Sequence, residues 1–199
     1  INQTRFKKNE VSHKQTQKKN LNVGLNIDYG FEGNYYNNKV PNDNTLAISN
    51  DGLMIAGINS SYIIYDQNND SILKRATLNS LTFSFNQLLF VKKYDPKFIY
   101  DPHEDRFIMV FLVGNNPINN HICVAFSTSN NPLDDWNVYM LTGDALGTDH
   151  WTDYPAISLT NDELFITGNL LQHNVSWQEG FYQSFISVSY THLRAHETS

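Results

Sequence analysis

From about residue 40 the chain alternates short runs of β-branched and aromatic residues with clusters of Asn, Asp, Gly and Pro. That pattern predicts strands joined by tight turns. No stretch of comparable length carries the 3.6-residue apolar stripe of a packed helix. A first unit reads as strands at 45–49 (TLAIS), 53–58 (LMIAGI), 61–66 (SYIIYD) and 71–77 (SILKRAT). Asn50-Asp51-Gly52 makes its first turn, because Asp-Gly supplies the positive φ that a short hairpin needs. A second unit follows with 97–101 (KFIYD), 106–113 (RFIMVFLV), 121–129 (HICVAFSTS) and 136–141 (WNVYML). A third begins with 156–160 (AISLT), turns at Asn161-Asp162, and continues with 163–171 (ELFITGNLL) and 181–188.

The first strands of these units start near residues 45, 97 and 156. A period of that length, with four antiparallel strands per unit, is the signature of β-propeller blades, small sheets whose faces are buried only by their neighbours. The expected fold class is therefore all-β, a partial β-propeller of about two complete four-stranded blades plus part of a third. Such an arc does not close a ring, so the chain reads as truncated, a piece of a larger protein. A β-sandwich accounts for the strands but not for the long repeat.

Composition narrows the picture. The 199 residues are 40% hydrophobic and 13% aromatic, which excludes a disordered or collagen-like chain. One cysteine, Cys123, excludes an internal disulfide and a four-Cys zinc site. It lies in an apolar strand and reads as a buried small hydrophobe. No apolar run is long enough for a membrane span. Charge is uneven. Residues 1–19 hold six basic side chains against Glu10 alone, whereas the rest holds eight basic and 19 acidic ones. The acidic body argues against nucleic acid as a partner, since phosphates are repelled. Residues 1–39 read as a basic, polar leader or linker, 40–187 as the propeller fragment and 188–199 as a non-native tail. The tail's YTHLRAHETS resembles the translation of a sequencing-library adaptor, a contaminant at the ends of metagenomic reading frames.

Candidate chemistry lies at the unit boundaries. Asp43, Asp95 and Asp153 each stand just before an expected first strand. In a propeller those strands line the axis, so the three carboxylates converge at one channel mouth. There they can bind a cation or sugar hydroxyls, or raise one another's pKa for acid/base work. Asp before Pro is equally a common turn initiator. His150 and Trp151 add a polar and aromatic cluster that suits carbohydrate stacking, or a Trp wedged between blades. Asp66, Asn68 and Asp70 have the D-x-N-x-D spacing of a calcium loop, which makes calcium the candidate cation. The rest of that loop departs from the pattern, with Ser71 at the glycine position and Thr77 at the glutamate position, so a plain hairpin turn is the alternative. Asp101, His103 and Asp105 alternate in the same way. No G-x-S-x-G, H-E-x-x-H or phosphate-binding glycine loop is present.

The blocks VPNDNTLAISNDG, FIYDPHEDRFIMVFL, ICVAFSTSNNPLDDWNVY and DHWTDYPAISLTNDELFITGNLL resemble a family of secreted bacterial β-propeller proteins frequent in marine Bacteroidetes. Members often carry a downstream sorting domain for type IX secretion. The resemblance implies export to the cell surface or medium, and it brings no catalytic set. Three functions follow as expectations: an extracellular binding module for a glycan or protein ligand, a propeller-type glycoside hydrolase or lyase using channel-mouth carboxylates, and a structural spacer in a larger adhesin.

Overall fold

A computed structural model of the chain describes residues 30–36, 38–82, 85, 88–176 and 178–190. Most of the expected basic leader and residues 191–199 of the expected tail lie outside them. By contacts the chain divides into residues 1–33 and 34–199. The described portion of the first unit, residues 30–33, holds no helix or strand. The second contains the expected propeller fragment, residues 40–187. The Asn34 side-chain amide donates to the Ala56 carbonyl at 2.9 Å, and the Arg75 guanidinium stands 4.4 Å from the Tyr35 ring centroid.

Residues 34–190 are all-β, built of three antiparallel sheets. The first is β1 (Thr45–Ile48), β2 (Leu53–Ile58), β3 (Ser61–Asp66) and β4 (Ser71–Thr77), in that order. The second is β5 (Lys93–Asp101), β6 (Arg106–Val113), β7 (His121–Ser127) and β8 (Trp136–Thr142). The third has three strands, β9 (Trp151–Leu159), β10 (Glu163–Leu171) and β11 (Phe181–Tyr190), with β10 in the middle. A short 3₁₀ turn, Leu78–Leu81, follows β4. Among the described residues no sheet closes on itself, and no helix is long and apolar enough to cross a membrane.

The middle sheet explains why its strands read as continuous apolar runs. All eight residues of β6 are buried. Successive side chains point to opposite faces, so both faces must be covered. Phe107, Met109, Phe111 and Val113 pack with Ala47, Ile55, Tyr62 and Ile64 of the first sheet. Ile108, Val110 and Leu112 pack with Leu164, Ile166, Leu170 and Phe185 of the third. Gly57 permits the close approach of the first two sheets, since a Cβ there would stand 2.5 Å from the Phe98 ring. The first strands of successive sheets are neighbours, β1 beside β5 and β5 beside β9. The Phe98 backbone N–H donates to Thr45 Oγ1 across the first of these junctions at 3.1 Å. The edge strand β4 is mostly exposed and carries Lys74 and Arg75, charges that discourage further strand pairing.

Two expectations need correction. Strands expected to start at 97 and 156 start at Lys93 and Trp151, so Asp95 and Asp153 lie within strands instead of ahead of them. The reason is a bulge in each. Asp95 and Pro96 together oppose one residue of β6, and Tyr154 and Pro155 oppose one residue of β10. Proline has no N–H to give a ladder, so it is tolerated where the ladder is already broken. At the other end, β11 runs to Tyr190 and takes in the first residues of the expected tail.

Candidate functional site

The bulges create the site. A bulged strand turns locally and re-aims its side chains. Asp95 and Tyr154 adopt the left-handed backbone at φ 53° and 50°, and Asp43, ahead of β1, does so at 47°. By backbone position Asp95 therefore corresponds to Tyr154, and Asp153 stands one residue earlier. The three carboxylates are not strict repeats of one another. They nevertheless line one cleft of about 540 Å³, together with Trp151, Lys92 and Tyr94.

Two asparagines hold the entries in place. Asn59, after β2, donates its backbone N–H to the Asn42 carbonyl and accepts the Asp95 N–H on its own carbonyl, both at 2.8 Å. Its side-chain amide also donates to Asp95 Oδ1 at 3.3 Å. Asn120, ahead of β7, does the same for the entry to the third sheet. Its Oδ1 accepts the Thr152 N–H at 2.7 Å, and its Nδ2 donates to the Gly114 carbonyl at 2.9 Å. The Tyr94 hydroxyl donates to that same carbonyl at 2.8 Å, and Trp151 Nε1 donates to the Gln172 carbonyl at 3.3 Å. Both asparagines are buried, so these bonds are shielded from water. Neither role is legible in the sequence, where Asn120 looks like any Asn beside a turn and Asn59 shows only the Asn-x-Ser pattern of an N-glycosylation acceptor.

The electrostatics follow from that placement. Asp95 is 5% exposed. Burial, reinforced by the charges of Asp153 and Asp43, pushes its pKa up to about 6, against the weaker pull of Lys97 and Lys92. Asp153 is raised as well, mainly by burial, with the Tyr154 N–H and Lys92 opposing. The Tyr94 phenol is raised by burial and by Asp153 and Asp95. Among the described residues no cationic nitrogen stands within 4.0 Å of these three carboxylates. Lys92 Nζ lies 4.6 Å from the Tyr94 ring centroid, and Lys97 Nζ lies 4.9 Å from that of Tyr154.

Other candidates fall elsewhere. His150 is not on the cleft wall: its ring stacks on Tyr182 with centroids 4.1 Å apart, and its Nδ1 sits 2.6 Å from the Thr148 carbonyl. Asp66, Asn68 and Asp70 shape the β3–β4 turn. Asp66 Oδ1 accepts the N–H groups of Asn68 and Asn69, Asp70 Oδ1 accepts the Tyr65 hydroxyl, and Asn68 Nδ2 donates to the Asp51 carbonyl. The two carboxylates thus serve separate partners. The same Tyr-Asp-x-x-x-Asp module recurs in the β5–β6 turn, where Asp101 Oδ1 accepts the His103 and Glu104 N–H groups and Asp105 accepts the Tyr100 hydroxyl. That repeat is visible in the sequence as YDQNND and YDPHED. Among the described residues no three His, Cys, Asp or Glu side chains are grouped closely enough to hold a metal ion. Cys123 is buried, and burial pushes its thiol up to about 12, so it is an inert core residue.

No family model, no curated protein and no solved structure matches this chain.

Proposed function

We propose that the three sheets are successive blades of a β-propeller, and that the protein is an extracellular binding module whose ligand, a glycan or a protein, occupies the cleft between the blade entries. The observation that carries this reading is the convergence of Asp43, Asp95 and Asp153 with Trp151 on one cavity, although they stand at the entries to three different sheets. The propeller reading is supported by the succession of neighbouring first strands and by the burial of the middle sheet between the other two. Ile186, 73% exposed on the third sheet, fits a blade that receives a further neighbour. Export rests on the resemblance of the strand-and-turn blocks to secreted propeller proteins. The test is alanine replacement of all three aspartates, with the fold checked by circular dichroism. Glycan-array and calorimetric binding should disappear. Unchanged ligand and calcium binding leaves only the spacer reading.

A propeller-type glycoside hydrolase or lyase is the second reading. What favours it is a carboxylic acid whose pKa is pushed up to about 6 by burial and by the charge of a second carboxylate, Asp95 with Asp153. Such a pair can divide into acid and base. On this reading, reducing ends appear from a polysaccharide substrate and vanish in both Asp95→Asn and Asp153→Asn. Tight binding without any release of reducing ends rejects it.

A further inference from the structure

We propose that the cleft end of the molecule docks on a lipid surface, with apolar side chains at the loop tips around the cleft entering the bilayer interface. This goes beyond the cleft reading and does not depend on what the cleft binds. The two ends of the sheets differ in kind. At the hairpin end, the turns 49–52, 67–70, 102–105, 128–135 and 160–162 each carry Asp or Glu, and none carries Lys or Arg. Leu133, 40% exposed, is the one exposed large apolar side chain in them. The opposite end holds Val40, Phe90, Ile118, Leu146 and Val175, with Phe90 and Ile118 at 100% and 93% exposure. Single exposed apolar residues are ordinary on a protein surface. Their gathering at one end is not.

These tips are neighbours. Val40 and Val175 line the cleft together with Lys92 and Asn115, which lie close in sequence to Phe90 and Ile118. The Gly114 N–H donates to the Lys92 carbonyl and the Gly143 N–H to the Asn120 carbonyl, both at 2.9 Å, which joins the loops bearing Phe90, Ile118 and Leu146. The two most exposed side chains are also held where they are. Leu88 is buried in the core, and the buried Lys93 ammonium donates to the Leu88 and Val91 carbonyls at 2.6 and 3.0 Å, so the chain between them presents Phe90 outward. Asn116 Oδ1 accepts the N–H groups of Ile118 and Asn119, each at 3.1 Å, which fixes Ile118 at the tip of its turn. An apolar side chain already fixed in water gains from burial with little further ordering cost.

The arrangement favours lipid over protein. A protein interface has an apolar centre and a polar rim. Here the centre is the polar cleft with Asp43, Asp95 and Asp153, and the apolar groups stand on its rim. A bilayer needs no matching shape, only protruding apolar groups that reach past the headgroups. Lys39 and Lys92, both exposed, stand beside Val40 and Phe90 in sequence, and lysines so placed keep their ammonium groups at headgroup level while their stems lie among apolar atoms. The acidic turns lie at the far end. A net charge of -6 sets the chain against anionic lipid, so insertion of the tips carries the binding.

The test is co-sedimentation of the full chain with vesicles of phosphatidylcholine alone, repeated at about 0.5 M salt, where charge attraction is screened, and with vesicles containing phosphatidylglycerol. The parent should pellet with the neutral vesicles, and to the same extent at high salt. Phe90→Ser combined with Ile118→Ser should weaken that partition at least about tenfold, since each such side chain leaving water is worth about a factor of ten. Leu133→Ser, at the hairpin end, should stay within about twofold of the parent. Failure of the parent to pellet overturns the proposal. So does pelleting with phosphatidylglycerol vesicles alone that salt abolishes, or pelleting by the double variant equal to the parent's. A dimer seen by light scattering and lost in the double variant, with no vesicle binding, assigns the tips to a second copy and overturns it as well.

Discussion

Two aspartates of one nine-residue strand lead opposite lives. Asp95 near the start of β5 and Asp101 at its end are both buried, at 5% and 0% exposure. Asp101 turns back on the hairpin, and one of its oxygens accepts two backbone N–H groups, at 3.0 and 3.4 Å. Asp95 accepts one side-chain amide at 3.3 Å and otherwise faces Asp153 and Asp43. Residue type and burial are the same. What differs is the source of the donors: the turn's own backbone N–H groups for Asp101, one distant side-chain amide for Asp95. Asp66 repeats the Asp101 arrangement at the turn of the first sheet, where the Asn69 side chain and the backbone N–H groups hold its pKa down. Asp101 and Asp66 thus cap their hairpin turns with local backbone N–H groups, whereas Asp95 at the cleft takes a side-chain amide from a distant Asn59.

The contrast breaks most readily at Asp101. Asp101→Ala should cost about 2–3 kcal/mol, because it removes the carboxylate that accepts two part-buried turn N–H groups. Urea denaturation monitored by tryptophan fluorescence reads the loss directly. A variant as stable as the parent would show that the turn carboxylates are ornamental, and the contrast would collapse.

Asp95→Asn should act in the opposite direction. The folded pKa of Asp95 lies above its ordinary value of 3.8, so the folded state binds the proton more tightly than the unfolded chain. Stability from this group is therefore fully present below about pH 4 and is lost as the pH rises to about 6. The interval corresponds to at most about 3 kcal/mol, and to on the order of 2 once solvent screening from the open side of the cleft is allowed for. Asp95→Asn should recover that amount at pH 7 and flatten the stability profile between pH 4 and 6. A destabilised variant with an unchanged profile would mean that Asp95 is structural after all.

The smallest effect belongs to Asn130, whose side-chain amide donates to Asp51 at 2.8 Å and to Asp105 at 2.9 Å, tying turns of the first and second sheets together. These bonds are exposed, so Asn130→Ala should lower stability by less than about 1 kcal/mol. Its amide exchange signature should be confined to the hairpin end. Loosening that reached Asp95 or Asp153, seen by hydrogen exchange, would show that the two ends are coupled.

The strands were legible because their determinants are local. Alternating apolar residues, Asp-Gly turns and the run RFIMVFLV each declare themselves within a few positions, and the sheets follow that order. The cleft was partly legible, since Asp43, Asp95, Asp153 and Trp151 were marked by their place at unit boundaries. His150 was marked for the same reason and lies elsewhere, because the β8–β9 connection turns its ring onto Tyr182. The bulges at Pro96 and Pro155 were missed. A Pro after Asp or Tyr reads as a turn ahead of a strand, and only pairing with β6 and β10 shows that the strand has already begun.

The sequence alone determined that this chain makes antiparallel strands in a long repeat, because alternation and turn chemistry act between near neighbours. Only the tertiary structure decided which donors and which other charges each acidic group meets. That depends on donors far along the chain, Asn59 for Asp95 and Asn120 for the entry to β9, and on how deeply three sheets bury one another. Those are long-range terms, and a carboxylate's burial and its partners exist only once the sheets have packed.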